Sequence, residues 1–293
     1  MKYAWMEKHA DEFPVAVMCG VLEVSPSGYY AWRNRDVSSR AKRHETLGDA
    51  VVQSHASSRG IYGYRKVYKD VVEDYGHACC EETVRTIMRE KGLQASQKRR
   101  FVVTTDSDHA MPVAQNLLNR DFQPDRPNQK WVADITYIRT QEGWLYLSAV
   151  MDLFGRRVVG WHTSEHIDTN LITDAFHGAL RARRPEPGLL HHSDRGSQYA
   201  SESFQSLLKL FGISCSMSRK GNCWDNACME RFFCSLKTEW IGDTIYPTRE
   251  AARTAVFEYI ETFYNTKRRH ANLGYKTPVQ YEAQANAQGK HAA

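Results

Sequence analysis

Between residues 130 and 164 the chain carries three strand-like segments with almost nothing between them. "KWVADITYIRT", "WLYLSAVMDLF" and "RRVVGWHTS" are rich in Val, Ile, Leu and aromatic residues, and only turn-like breaks at Glu142-Gly143 and Gly155 separate them. That pattern predicts a three-strand meander. A helix over Asp168 to Arg184 follows, then a short buried strand "GLLHHSD", a helix "SESFQSLLKLFG", a strand "ISCSMS" and a last helix from Asp225 to Trp240. The order βββαβαβα predicts an α/β fold, a mixed sheet flanked by helices.

Three acids fall at telling places in that frame. Asp134 lies mid-strand in "WVADITYI", where alternation otherwise calls for a neutral residue. Asp194 ends the strand "LLHHSD", where a strand end meets a loop, and Glu230 sits in the middle of the last helix. With 34 Asp and Glu in the chain, many triplets fit any spacing, so placement in the elements carries the argument. A carboxylate on the first, central strand of such a sheet is costly to bury unless it is paired or holds a metal. A neighbouring strand end and a facing helix could gather three carboxylates around hard cations. Oxygen-only ligation suits Mg²⁺ or Mn²⁺. Two such ions would activate an attacking oxygen and stabilise a leaving one in phosphoryl transfer.

The last helix, "GNCWDNACMERFFCSLKTEW", also invites a zinc reading through Cys223, Cys228 and Cys234. Structural zinc sites use tighter pairs. Cys228 and Cys234 stand about 600° apart at roughly 100° per helical residue, so they face away from each other. His191-His192 alternates faces on a strand. Ser193 lacks the glycine pattern of a nucleophile elbow. The helix reads better as the carrier of Glu230, with Phe232, Phe233, Leu236 and Trp240 as core or interface.

The N-terminal part is helical. "FPVAVMCGVLEVSPSGYYAWRNR" gives a helix from Val15 to Leu22, a break at Glu23-Val24, and a second helix capped by Ser25 with Pro26 at its first position. Helix-turn-helix spacing and a plain helical hairpin both fit, and Arg33 and Arg35 fall on the second helix. Ser38 to Arg100 reads as three more helices. Basic residues, among them Arg65, Lys66, Lys98, Arg99 and Arg100, cluster with Tyr62, Tyr64 and Tyr68. The expected organisation is a helix-turn-helix segment over 1–37, a helical DNA-binding domain over 38–100, a linker over 101–127, the core over 128–245, and a C-terminal helix with a basic tail over 246–293. In that tail Lys267, Arg268, Arg269 and His270 are expected to contact DNA phosphates. A net charge of +5 suits a polyanionic partner. No apolar run is long enough to span a membrane. The seven cysteines have no framework spacing and read as free thiols in a reducing cytoplasm.

The chain resembles the insertion-sequence transposases of the IS-three family, specifically their second-frame product, within the DDE and retroviral-integrase superfamily. The phrases that carry the likeness are "RPNQKWVADITYI", "YLSAVMDLFGRRVVGW", "HHSDRGSQYAS", "MSRKGNCWDNACMERFFCSLKTEW" and "YNTKRRHANLGYKTPVQYE". With "VLEVSPSGYYAWR" and "RGIYGYRKV" they cover nearly the whole chain. One departure is Glu23, where relatives often have Gly.

The resemblance implies a ribonuclease H-like catalytic core behind all-α helix-turn-helix units, with Asp134, Asp194 and Glu230 as catalytic triad and ligands of two Mg²⁺ ions, Mn²⁺ being the alternative. It also implies a basic residue two turns after the glutamate. Lys237 is that residue, expected to contact DNA or phosphate. Asn226, four positions before Glu230 on the same face, is expected to support the site beside the DNA. The implied activity is metal-dependent strand cleavage followed by strand transfer. The implied partners are terminal inverted repeats, target DNA, further copies of the chain on DNA, and the upstream-frame protein or its fusion. A bacterial, nucleoid-associated location goes with these. The competing reading is a non-catalytic DNA-binding regulator or inhibitor of the full-length frameshifted transposase.

Overall fold

The computed structural model describes residues 1–95, 113–220 and 222–291, without the side chains of residues 223 and 288–291. Three helices open the chain, α1 (Lys2–Lys8), α2 (Val15–Leu22) and α3 (Pro26–Arg33). The sequence pattern gives α2 and α3 but not α1. Met6 of α1 packs with Met18, Cys19 and Tyr29, so the unit is a three-helix cluster rather than a bare hairpin. The Ser25 hydroxyl accepts the Gly28 amide at 3.0 Å and caps α3. Glu23 turns the chain between α2 and α3 with φ 53° and ψ 50°. Glycine adopts that left-handed conformation without strain, whereas a side chain there costs roughly 1 kcal/mol.

Three amphipathic helices follow, α4 (Ser39–Ser57), α5 (Tyr64–Glu73) and α6 (Glu81–Glu90). Their apolar faces, including Val51, Val67, Val71, Val84 and Ile87, join one hydrophobic cluster with one face of the sheet described next. Residues 113–129 form no regular element, yet they are pinned to the core. The amides of Leu117 and Leu118 both donate to the Ser216 hydroxyl, and Leu118 is buried.

The core follows the expected order. The meander is β1 (Lys130–Thr140), β2 (Gly143–Asp152) and β3 (Arg157–Ser164), and then come α7 (Thr169–Arg183), β4 (Leu190–Ser193), α8 (Ser197–Ala200), α9 (Glu202–Leu210) and β5 (Ser214–Met217). The sheet order is β3-β2-β1-β4-β5, with the meander antiparallel and β4 and β5 added parallel. It is the predicted mixed sheet flanked by helices, and β1 is its central strand. Alternation along β1 divides the two layers. Trp131 and Ala133 pack with Phe176 and Phe204, while Val132 and Ile138 pack on the other face with Met229, Phe232 and Phe233.

Gly160 on β3 lets α7 lie directly on the sheet. A Cβ there would sit 2.3 Å from the Ala175 carbonyl oxygen and 2.5 Å from the Ala179 amide. Both are backbone atoms and cannot swing away. Gly160→Ala is therefore expected to lower stability by about 3 kcal/mol, read from urea unfolding. A loss below about 1 kcal/mol would mean that β3 and α7 separate easily.

The segment read as one helix from Asp225 to Trp240 is three. A 3₁₀ turn (Cys223–Asn226) leads into α10 (Ala227–Ser235), which runs on as a π-helical turn (Leu236–Ile241). Local periodicity does not distinguish the last two, because Phe232, Phe233, Leu236 and Ile241 stay buried across the change from α to π. The chain ends with α11 (Arg249–Phe257), a second π segment (Glu258–Tyr264), a 3₁₀ turn (Ala271–Leu273) and α12 (Pro278–His291). Asn265 bonds both backbone groups of Val158, and Glu282 on α12 pairs with Arg183 and Arg157, so the C-terminal part is bound tightly to the core.

Candidate active site

β1 places Asp134 by simple alternation. It lies on the same face as Val132 and Ile138, the face covered by α10. β4 runs parallel to β1 with Val132 opposite His192, so two residues further on Asp134 is level with Asp194. Neighbouring strands are roughly 4.8 Å apart. The two carboxyl groups therefore leave adjacent strands side by side, Asp194 just past the end of β4. The Asp134 carboxylate accepts the Ile135 amide at 2.8 Å, and that of Asp194 accepts the Gly196 amide at 2.9 Å.

The entry to α10 is fixed by an acid that no local motif singles out. Asp225 is fully buried, and its carboxylate takes donors from Arg219, Arg120 and Asn116. These groups hold its pKa far below the usual carboxylate range, Arg219 contributing most. Two of the three partners come from the segment before β1, over a hundred residues away, so no local motif announces the clamp. Next to it Asn226 donates through Nδ2 to the Ala133 carbonyl at 3.1 Å and ties α10 to β1 one residue before Asp134. Asn226 is buried, with its Oδ1 unpartnered among the described residues. Its expected place in the DNA contacts is thus corrected, since a buried amide bonded to the sheet cannot reach a duplex. Trp224 stands 68% exposed on the same turn.

Glu230 is one helical turn beyond Asn226 and half-buried. The carboxyl pKa of Asp134 is raised well above normal by burial, then by the charge of Asp194 and, more weakly, of Glu230. Burial also raises Glu230. Lys237 lies close enough to Asp134 for its charge to act in the opposite sense, and its ammonium sits 4.5 Å from the centre of the Tyr137 ring. Burial pulls the Lys237 pKa down to about 8, against the attraction of Asp134. The three acids and the lysine thus share one electrostatic neighbourhood beside the middle of β1 and the end of β4.

An all-carboxylate donor set whose members repel one another fits hard divalent cations better than zinc. Among the described residues no group of three or more His, Cys, Asp or Glu side chains is drawn close enough to hold an ion as it stands. His191 and His192 belong to the core rather than to the acid cluster, His191 packing against Phe176, Tyr199 and Phe204. Both are buried, which pulls their pKa values down to about 3 and about 4. The Ser216 hydroxyl already accepts two amides and gives its proton to His192 Nδ1, leaving Nε2 to bond Ser218.

The expected DNA contacts divide sharply. Arg33, Arg35, Arg65 and Lys267 are exposed, Arg33 in a long ion pair with Glu7, and Lys66 is half-buried on α5. Lys98, Arg99 and Arg100 lie outside the described residues. Arg268, Arg269 and His270 require correction. Arg268 makes a two-pronged pair with Glu239 at 2.6 Å. Arg269 is buried among Asp70, Glu73 and Asp74. The His270 ring packs on Tyr264, and its Nε2 is buried. The basic tail is folded into the structure because acids far upstream in the sequence neutralise it.

Comparison with known proteins agrees with this architecture. Models of an integrase core domain match residues 124–223 and 211–278, and an HTH-like domain matches residues 42–101. Transposase InsF for insertion sequence IS3A of Escherichia coli (strain K12) is 42% identical over 284 residues, 96% of this chain and 98% of the relative. A 31 kDa protein of insertion element IS600 from Shigella sonnei is 42% identical over 264 residues, 90% of this chain and 97% of that one. Among solved structures, a simian T-cell lymphotropic virus intasome chain matches with TM-score 0.46 and 19% identity over 79% of this chain and 74% of its own. The HTLV-2 integrase catalytic core in complex with magnesium matches with TM-score 0.43 and 19% identity over 55% of this chain and 99% of its own.

Proposed function

The chain belongs to the IS3 family of insertion-sequence transposases, with an integrase core and an HTH-like unit, and on that footing we propose that it cleaves and joins DNA strands at Asp134, Asp194 and Glu230. The observation that carries the reading is the level placement of Asp134 and Asp194 on adjacent parallel strands, with Glu230 acting on Asp134 from the covering helix. Such a cluster of acids is costly in a folded protein unless a cationic ligand compensates it. Divalent ions held by these three residues would supply charge neutralisation at the attacking and leaving oxygens of the phosphodiester.

The remaining residues position and screen. In cleavage a water oxygen attacks phosphorus and the 3′ oxygen leaves. In joining the freed 3′-hydroxyl attacks a second phosphodiester, so no covalent link to the protein forms. Lys237 offers a positive charge beside Asp134, where a non-bridging phosphate oxygen gains negative charge. Asn226 and the Asp225 clamp keep α10 in register with β1, and so keep Glu230 facing Asp134. DNA grip comes from exposed Arg33 on α3, Arg35 just beyond it, Arg65 on α5 and Lys267 in the turn after the second π segment. Joining two element ends requires two active sites, so the working form is an oligomer on DNA.

The test is a strand-transfer assay with purified chain and duplexes bearing the element's ends. Joined product is expected in Mg²⁺ or Mn²⁺, with loss of at least about 10³-fold when EDTA removes the ions, since the ions are worth several kcal/mol at the transition state. Joining that survives EDTA would remove the carboxylates from the mechanism.

A further inference from the structure

On the side of α10 away from the carboxylates lies a cavity of about 420 Å³, between α5, the turn from β2 to β3, α10 and the segment after the second π-helix. Ala227, Cys228, Arg231 and Ser235 form its α10 wall, a stripe at helical spacing. Lys66, Arg156, Arg231, Arg268 and Arg269 line the cavity, and among the described residues no carboxylate does.

The five cations are not equivalent. Glu239 neutralises Arg268, and the acids of α5 neutralise Arg269. Arg156 donates to the Phe122 carbonyl and the Cys228 thiol, both uncharged, and no ion pair joins it or the exposed Arg231 to a carboxylate among the described residues. Nε2 of His270, which lines the same cavity, is buried without a hydrogen-bond partner. Its ring is kept neutral by burial and then by the nearby charges of Arg268, Lys66 and Arg156. A positive, walled cavity in which Arg156 and Arg231 pair with no carboxylate among the described residues has the character of an anion site.

We propose that this cavity binds one phosphate of the DNA backbone through Arg156 and Arg231, on the far side of α10 from the cleavage site. The rim supports a duplex over a small free anion. Exposed Lys267 and Arg65 are the chain neighbours of the lining residues Arg268 and Lys66, and add positive charge beside the cavity for a continuous polyanion. The role rests on the transposase reading only in that DNA is the ligand. It needs no catalysis, and the test is run in EDTA so that the two can fail separately.

The test measures binding of the full chain to a fluorescent duplex across a salt series. Arg231→Gln and the double variant with Arg156→Gln are expected to weaken binding about tenfold and to flatten the slope of log affinity against log salt by about 1, as losing one phosphate contact should. Arg181→Gln, an exposed charge on α7, is the control and should leave the slope in place. A slope unchanged in both cavity variants, or changed equally in the control, overturns the proposal. If inorganic phosphate raises the melting temperature of the wild type but not of Arg231→Gln while duplex binding is unchanged, the site takes free phosphate and the DNA assignment fails. Because Arg156→Gln could loosen the turn, a photoreactive benzophenone side chain at exposed Asn272 gives an independent readout. It should crosslink to the duplex, and absence of crosslinks overturns the proposal.

Discussion

Asp194→Asn should abolish cleavage and joining, by about 10³-fold or more, while duplex affinity stays within about twofold of wild type. The substitution keeps shape and removes one negative charge. Asparagine can still accept the Gly196 amide through its side-chain oxygen, so the turn after β4 has no reason to move. What changes is the electrostatics of the cluster. The charge of Asp194 is the largest electrostatic influence raising the Asp134 carboxyl, and its loss relieves that repulsion. The variant should therefore melt no lower than wild type, which separates lost chemistry from lost fold. A neutral oxygen is also a far weaker ligand for a hard cation, and several kcal/mol of charge stabilisation correspond to the stated loss at 1.36 kcal/mol per decade. Joining in Mg²⁺ within tenfold of wild type would remove Asp194 from the site.

Much of this was legible because the relevant signals are local. The meander follows from period-two patterning and tight turns, and Asp134 stands out because it breaks that pattern on the strand the order makes central. Asp194 and Glu230 are recognisable by their place at a strand end and within a helix. The features that escaped are those with no local signature. The Asp225 clamp draws Arg120 and Asn116 from before β1. The change from α to π at Leu236 leaves the apolar face intact and so leaves no trace in periodicity. The left-handed turn at Glu23 is a backbone property that a glycine would have announced. The basic tail misled for a related reason. "TKRRH" looks solvated when its neighbours in sequence are the only ones in view, but the counter-charge of Arg268 is Glu239 and those of Arg269 lie about 200 residues upstream, on and just after α5.

That displacement sets up the second large effect. Arg269→Met should destabilise the protein by about 3–5 kcal/mol, the range for removing one partner from a buried ion pair. The guanidinium is 3% exposed and bonds Asp70 at 2.6 Å, Glu73 at 2.5 Å and Asp74 at 2.8 Å, with the Tyr275 carbonyl as a fourth acceptor. Methionine fills comparable space but leaves a buried carboxylate behind. Asp70 bears most of that cost, since Glu73 and Asp74 are partly exposed and can turn to water. Burial already raises the Asp70 pKa even though the Ser54 hydroxyl and Arg269 both hold it down.

Without the arginine the Asp70 pKa must rise further, and the sign of the pH effect follows. A carboxyl whose folded pKa lies above its unfolded value binds more protons folded than unfolded, so stability falls as pH rises through that window. The deficit of Arg269→Met relative to wild type should therefore shrink as pH is lowered from 7.5 towards 5, as Asp70 takes up a proton. Urea unfolding at both pH values checks this. A deficit below about 1 kcal/mol, or one that grows on acidification, would mean that the three acids are not compensated by Arg269. Asp70→Asn in the Arg269→Met background should restore most of the loss, because it removes the stranded charge while keeping an acceptor for Ser54. The outcome bears on function as well as stability. Arg269 joins α5 of the HTH-like unit to the last segment of the integrase core, so the same ion cluster fixes how the DNA-binding helices are held against the catalytic sheet.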